Sequence, residues 1–192
     1  MKTFYLVRHA QYSNPRNILV GRLPVELSEE GKEEANKLAL FFVDKNIEKI
    51  YSSPVLRCKQ TSKIISNKKF PIEYDLRLAE TFSAYQGYWE LDWAHFYKHH
   101  SKLGGELATD VQKRVVDFYD EINNKNKGDV IICSHGDSLY LLYAHLLKLP
   151  TPDIKEIYKL PDQEYQPKAS IRPIFFDKDR ILVKPLIEIT DL

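Results

Sequence analysis

A chain of 192 residues, 43% hydrophobic and 29% charged, has the length and balance of one large domain that can bury a core. A formal net charge of +1 supplies no overall field for nucleic acid or an anionic membrane, so any attraction for an anion has to be local. Two cysteines are too few for a disulfide framework, no run reaches membrane-spanning length, and the first residues lack the form of a signal peptide, so a cytoplasmic protein is expected.

Strand-like and helix-like patterns alternate along the chain. Phe4-Tyr5-Leu6-Val7 is the short apolar run that a doubly covered strand needs. Ser28 reads as an N-cap, with Glu29 and Glu30 in the first turn and Ala35, Leu38, Ala39 and Phe42 at helical spacing behind them. Lys49-Ile50-Tyr51 reads as a second strand, and Ser53-Pro54 as a helix start with Ser at the cap and Pro in the first position. Val111, Val115, Phe118 and Ile122 mark another amphipathic helix. Asp129 to Cys133 reads as a buried strand, with Cys133 as a small hydrophobe in it, and Leu139, Leu142, Tyr143 and Leu146 as a helix behind it. Ser170 to Phe176 and Ile181 to Ile189 form the arms of an expected hairpin turning at Asp177-Lys178-Asp179, with Pro173 and Pro185 pointing to a sheet edge.

The alternation predicts a single α/β domain over 1–192, a three-layer sandwich with a largely parallel central sheet flanked by helices. No internal repeat or low-complexity segment interrupts it. Two regions break its rhythm. An aromatic, flap-like segment at about 81–105 carries Phe82, Tyr85, Tyr88, Trp89, Trp93, Phe96 and Tyr97, and residues 150–168 carry four prolines and many charges. Both are placed to border a pocket, although the aromatics suit a satellite core equally well.

In an open α/β sheet, ligands bind at the carboxyl ends of the strands. The first strand runs into Arg8-His9, the second into Ser52-Ser53-Pro54 with Arg57 shortly after, and the strand ending at Cys133 into Ser134-His135-Gly136. Parallel strands therefore bring two imidazoles and two guanidiniums to one edge. Guanidinium forks suit phosphate oxygens, and the helix start near Arg57 adds a favourable field for an anion. That is a phosphate site with a histidine nucleophile. The rival spacing, His95-x-x-x-His99, puts two imidazoles on one helical face. It lacks an adjacent glutamate and a third ligand, so it reads as a surface face with no metal, and His145 as a helix-face histidine.

These residues resemble the histidine phosphatase superfamily, which includes the cofactor-dependent phosphoglycerate mutases. The resemblance runs through Leu6-Val7-Arg8-His9-Ala10, then Ser52-Ser53-Pro54-Val55-Leu56-Arg57-Cys58-Lys59-Gln60-Thr61. It continues in Leu78-Ala79-Glu80, Gly87-Tyr88-Trp89-Glu90, Gly104 to Glu106 with Arg114, and Ile131 to Gly136. In order, these matches span residue 4 to about residue 147. The departures are Ala10 in place of the usual glycine, Pro24 where an aspartate is common, and Asp137 where a small residue is usual.

The resemblance implies attack of an unprotonated His9 nitrogen on a phosphomonoester through a phosphohistidine. Arg8, Arg57, His135 and the Gly136 N–H would hold the phosphate, Asn14 would be a further phosphate contact, and Glu80 would be the proton donor and then the base. No cofactor and no metal are required. The partner is a small phosphorylated substrate, with no nucleic acid and no membrane, and the sequence leaves oligomeric state open. A phosphatase is the first expectation, favoured by the short chain. A phosphoglycerate mutase, a phosphohistidine-protein phosphatase and a catalytically silent member that binds a phosphorylated ligand are the alternatives.

Overall fold

The computed structural model describes residues 2–161, 164–177 and 180–189. The first apolar run folds as β1 (Lys2–Arg8), buried without a break from Thr3 to Val7. Alternate side chains of a strand leave opposite faces, so such a run needs cover on both. Phe4 and Leu6 join one apolar cluster with Val115, Phe118 and Leu142, and Tyr5 and Val7 join another with Leu38, Phe42 and Ile65. The helices that supply these partners are α4 (Ala108–Lys125) and α5 (Gly136–Leu146) on the first face, with α1 (Glu29–Phe42) and α2 (Leu56–Ser66) on the second. The result is the three-layer α/β sandwich that the alternation predicts. Each fully buried Leu or Phe in these layers contributes roughly 1.5–3 kcal/mol relative to an exposed one.

β1 runs parallel to β4 (Asp129–Ser134), β4 parallel to β2 (Ile47–Ser52), and β2 parallel to β3 (Ile72–Tyr74). On the other side of β1, β5 (Ser170–Asp177) is antiparallel, and it pairs in turn with β6 (Arg180–Val183) and β7 (Ile187–Glu188). The strand order is β3-β2-β4-β1-β5-β6, so the three strands whose carboxyl ends carry the polar motifs are neighbours. Their register levels those ends: Arg8 faces Ser134, and Ser52 faces Cys133.

Ser28 caps α1 as expected, accepting from the Gly31 N–H at 3.0 Å. Gly31 is a packing glycine, since a Cβ there would lie 1.8 Å from the Gln11 carbonyl oxygen. Two expectations need correction, and one strand went unread. β3 has only three residues and no fully buried side chain, which is too little pattern to be read from sequence. The α2 helix begins at Leu56 with Val55 at the cap, two residues later than Ser53-Pro54 predicts. Ser53 is still held extended by its N–H bond to the Cys133 carbonyl, and its hydroxyl accepts from the Val55 N–H. Pro173 is not at an edge: β5 is an interior strand. Its carbonyl accepts from Lys184 N–H, between the β6 and β7 pairings, so the N–H that proline lacks falls at a break in the ladder. Pro185 does lie at the exposed edge, in that break, while Lys178 and Asp179 of the expected turn lie outside the described residues.

Candidate active site

β1 delivers Arg8 and then His9, whose N–H bonds the Ser134 carbonyl at 3.0 Å, so the loop leaves both strands together. His9 is 1% exposed. Its Nδ1 lies 2.9 Å from the Ala10 carbonyl, which only accepts, so the proton sits on Nδ1 and the lone pair on Nε2. That lone pair accepts from Arg57 Nε–H at 3.0 Å. Burial first, then Arg57 and Arg8, holds the imidazole pKa well below its ordinary value, so His9 is neutral. Ala10 is tolerated in place of glycine, since its φ is not positive, and its N–H bonds the Thr61 hydroxyl at 3.1 Å. Thr61 in turn donates to the Arg57 carbonyl, which ties the His9 loop to the first turn of α2.

Arg57, 2% exposed, spends Nη2 on the Gly21 carbonyl at 2.8 Å and on His135 Nδ1 at 2.9 Å. Because arginine only donates, His135 Nδ1 is the acceptor, and its Nε2–H donates to Ser53 Oγ at 2.8 Å. Burial and then Arg57 lower the His135 pKa as well. Arg8 donates from Nη1 to the Gln166 carbonyl at 2.8 Å and lies 4.9 Å from the centre of the Tyr165 ring. Two guanidinium nitrogens remain buried with no hydrogen-bond partner among the described residues, Arg8 Nε and Arg57 Nη1. Unpaired buried donors are costly, and two on residues that line one cavity suit an anion.

Glu80 places Oε2 3.6 Å from both Arg57 Nη2 and His135 Nδ1. Burial first, and Asp137 second, push its pKa up to about 7 against the opposing pull of Arg57. The backbone under it is braced: its carbonyl accepts from Arg22 Nε at 2.7 Å and Arg114 Nη2 at 3.3 Å, and both arginines bond the Glu106 carboxylate. Glu106 and Arg114, noticed in the sequence only by resemblance, thus position Glu80.

Arg8, His9, Arg57 and Glu80 line one cavity of about 180 Å³. His135 and Gly136 stand behind that lining, with His135 reaching it through Arg57. Asn14 is not brought there: its amide donates to the Ile18 carbonyl and accepts from the Ile18 N–H, closing its own loop. Phe96, the one large aromatic of α3 (Trp93–His99) that is fully buried, lines the cavity, while Trp89 is 68% exposed, so the flap is part wall and part surface. His95 and His99 stack with ring centres 4.3 Å apart, and no group of three potential metal ligands occurs among the described residues. His145 is exposed on α5.

Sequence reasoning missed Tyr158, Tyr165 and Gln166. All three belong to the proline-rich segment that broke the strand-helix rhythm, which was the only signal available. A larger space of about 540 Å³ shares Phe96, His100 and Ile154 with the cavity but contains none of Arg8, His9, Arg57, Glu80 or His135. No helix among the described residues is long and apolar enough to cross a membrane.

The sequence profile of the histidine phosphatase superfamily (branch 1) matches residues 4–166. A Hydrogenobacter thermophilus protein named "Putative phosphoserine phosphatase 2" is 30% identical over 172 residues, covering 82% of this chain and 85% of its own. The 2,3-bisphosphoglycerate-dependent phosphoglycerate mutase of Cytophaga hutchinsonii is 27% identical, covering 82% and 83%. The crystal structure of the alpha-ribazole phosphatase from Shigella flexneri superposes with a TM-score of 0.82 over 97% of this chain and 96% of that one, at 19% identity, which speaks to the fold. With its motifs converging on one edge of the sheet and the family profile matched across most of its length, the chain belongs to the histidine phosphatase superfamily, branch 1.

Proposed function

We propose that the protein hydrolyses a phosphomonoester through a phosphohistidine on His9. The observation that carries this reading is the pair of unpartnered donors, Arg8 Nε and Arg57 Nη1, in the same cavity as a neutral imidazole whose Nε2 bears the lone pair. A phosphate dianion takes those donors, and Arg57 Nε turns from the imidazole to a phosphate oxygen, which frees the lone pair. His9 Nε2 then attacks phosphorus in line with the ester oxygen. The P–O bond breaks, and the Glu80 carboxyl gives its proton to the departing oxygen. The guanidiniums, with the field at the N-terminus of α5, stabilise the charge spread over the equatorial oxygens. In the second step the Glu80 carboxylate takes a proton from water, the water oxygen attacks phosphorus, and the P–N bond breaks to return neutral His9. A pKa near 7 suits a group that must give and then take a proton.

The Cytophaga relative's name supports a second reading, in which an alcohol takes the phosphoryl group from His9 in place of water. Phosphate release across a panel of phosphomonoesters, with a mutase assay in parallel, separates the two. The expected result is one inorganic phosphate per alcohol released. Isomerisation of a phosphoglycerate without phosphate release would overturn hydrolysis.

A further inference from the structure

The phosphate end of the cavity and its other half differ in charge. Among the described residues that line it, the only cations are Arg8 and Arg57. Lys168 sits on the Gln11 side chain and 4.8 Å from the Tyr12 ring, and Arg22 and Arg114 are held by the Glu80 carbonyl and the Glu106 carboxylate, all three outside the lining. A phosphate dianion balances the two guanidiniums. His9 and His135 are neutral, and Glu80 enters the first step as the neutral acid. Among the lining residues one charge is then left over, the Asp137 carboxylate, 2% exposed and in no ion pair among the described residues.

Three hydroxyls hold that carboxylate: Thr81 Oγ1 donates to Oδ2 at 2.7 Å, Tyr165 Oη to Oδ1 at 2.8 Å, and Tyr158 Oη to Oδ2 at 3.3 Å. Both phenols are pushed well above their ordinary pKa, by burial first and Asp137 next, so each stays a donor to the carboxylate. A phenol that donates inward presents its oxygen lone pairs outward. His100 adds another acceptor: its Nε2–H bonds the Glu106 carbonyl at 2.9 Å, leaving Nδ1 buried and without a partner among the described residues. The leaving-group half of the cavity therefore combines aromatic faces, hydroxyl and imidazole acceptors and an uncompensated buried anion, with no donor cation of its own.

We infer that this half takes a cation: the substrate is the phosphomonoester of a short alcohol bearing an ammonium group. The ammonium lies against Tyr158 and Tyr165, with Asp137 behind them as the opposing charge. The inference rests on the phosphatase reading above. An ammonium on the ring faces and phenol oxygens gains cation–π and charge-assisted contacts while completing the charge balance. An alcohol bearing a carboxylate would bring a second anion toward Asp137 and find no third cation among the described lining residues. At about 180 Å³ the cavity is smaller than the roughly 300–1,000 Å³ of pockets for drug-sized ligands, which limits the alcohol to a few heavy atoms.

The test uses three near-isosteric esters, aminopropyl, butyl and carboxyethyl phosphate, and reads kcat/KM. The expected order places aminopropyl about tenfold or more above butyl, and carboxyethyl below it. Asp137→Asn keeps the shape and removes the charge. It should bring the aminopropyl-to-butyl ratio to within about threefold of unity, whatever happens to the absolute rates. If Asp137 merely fastens the tyrosines, all three esters fall together and the ratio stays. Tyr158→Phe, which keeps the ring and removes one acceptor oxygen, should lower the ratio partway. Should Asp137→Asn fail to fold, the native series and Tyr158→Phe still decide. Equal kcat/KM for the three esters in the native protein overturns the cation site and leaves the phosphatase standing. Hydrolysis of none of them, or of any other monoester, removes the phosphatase reading and this inference with it.

Discussion

The floor of the cavity and its cover are built by different means. The floor consists of Arg8, His9 and Arg57 with His135 behind them, each delivered by a strand end or a first helical turn and levelled by a parallel ladder. Its side chains bond one another and the backbone, so their positions follow from the sheet. The cover comes from two irregular segments, and what fixes Tyr158 and Tyr165 is a carboxylate, Asp137, reached by their hydroxyls. The contrast assigns chemistry to the floor and choice of alcohol to the cover. Changes to the floor should then affect every ester alike, and changes to the cover should depend on the ester.

The largest effect is expected from His9→Ala, which removes the proposed nucleophile. Turnover of every monoester should fall at least roughly 1,000-fold with the fold intact by circular dichroism. The native enzyme should yield an acid-labile, base-stable phosphoryl label that the variant lacks. Near-normal activity in the purified variant would take the nucleophile away from the floor altogether.

Glu80 stands between the two regions and comes next. Glu80→Gln should cost alkyl esters roughly 100-fold or more, about 2.7 kcal/mol of barrier, because an alkoxide leaves poorly without a proton. A nitrophenyl ester should lose much less in the phosphorylation step, read as a burst so that a slowed dephosphorylation does not mask it. The same group sets a pH dependence. Phosphoryl transfer from an alkyl ester needs the Glu80 acid, so its rate should fall as pH rises through about 7, and Glu80→Gln should flatten that limb. No loss through His9 protonation is expected until pH is well below the usual imidazole range, since its pKa is depressed. Equal, small losses for both esters would make Glu80 a bystander.

This division also explains what was legible in the sequence. The floor was readable because strand ends concentrate chemistry: a continuous apolar run such as Phe4 to Val7 announces the strand, and Arg8-His9 follows it directly. Arg57 was readable from its place just after a strand, although the helix starts later than the Ser53-Pro54 pair suggests. The cover was readable only as two segments placed to border a pocket, and its working residues were not. Tyr158 and Tyr165 sit in a segment with no periodicity, and their role depends on a long-range bond to Asp137 that no local pattern encodes. Asn14 shows the converse: a residue matched by resemblance, whose amide is committed to its own loop.

A smaller and more selective effect is expected where floor and cover touch. Gly136 opens α5 beneath Tyr165, and a Cβ there would lie 2.2 Å from the Tyr165 hydroxyl oxygen. Gly136→Ala should therefore swing the phenol off Asp137 and away from Arg8 without unfolding the chain. The expected cost is about tenfold in kcat/KM, carried more by KM than by kcat. Tyr165→Phe combined with Gly136→Ala should then cost little more than Gly136→Ala alone, because the hydroxyl is already displaced. Fully additive losses would place the effect of Gly136 in the floor.

The smallest effect, none at all, is expected from chelation. The charge that a bound cation would otherwise neutralise has donors waiting for it in Arg8 Nε and Arg57 Nη1. The nucleophile is already neutral without a metal, because burial and the same guanidiniums disfavour its protonated form. In the proposed mechanism Glu80 supplies the proton that a metal-bound water would supply elsewhere. Exhaustive dialysis against a chelator should therefore leave kcat and KM within about twofold of their starting values, since no term of transition-state stabilisation is being removed. The one metal-like spacing in the chain, His95 and His99, lies in the flap and outside the cavity lining. Activity that vanished on chelation and returned only with zinc would bring that pair into the chemistry. The division between a catalytic floor and a selective cover would then fail at its first premise.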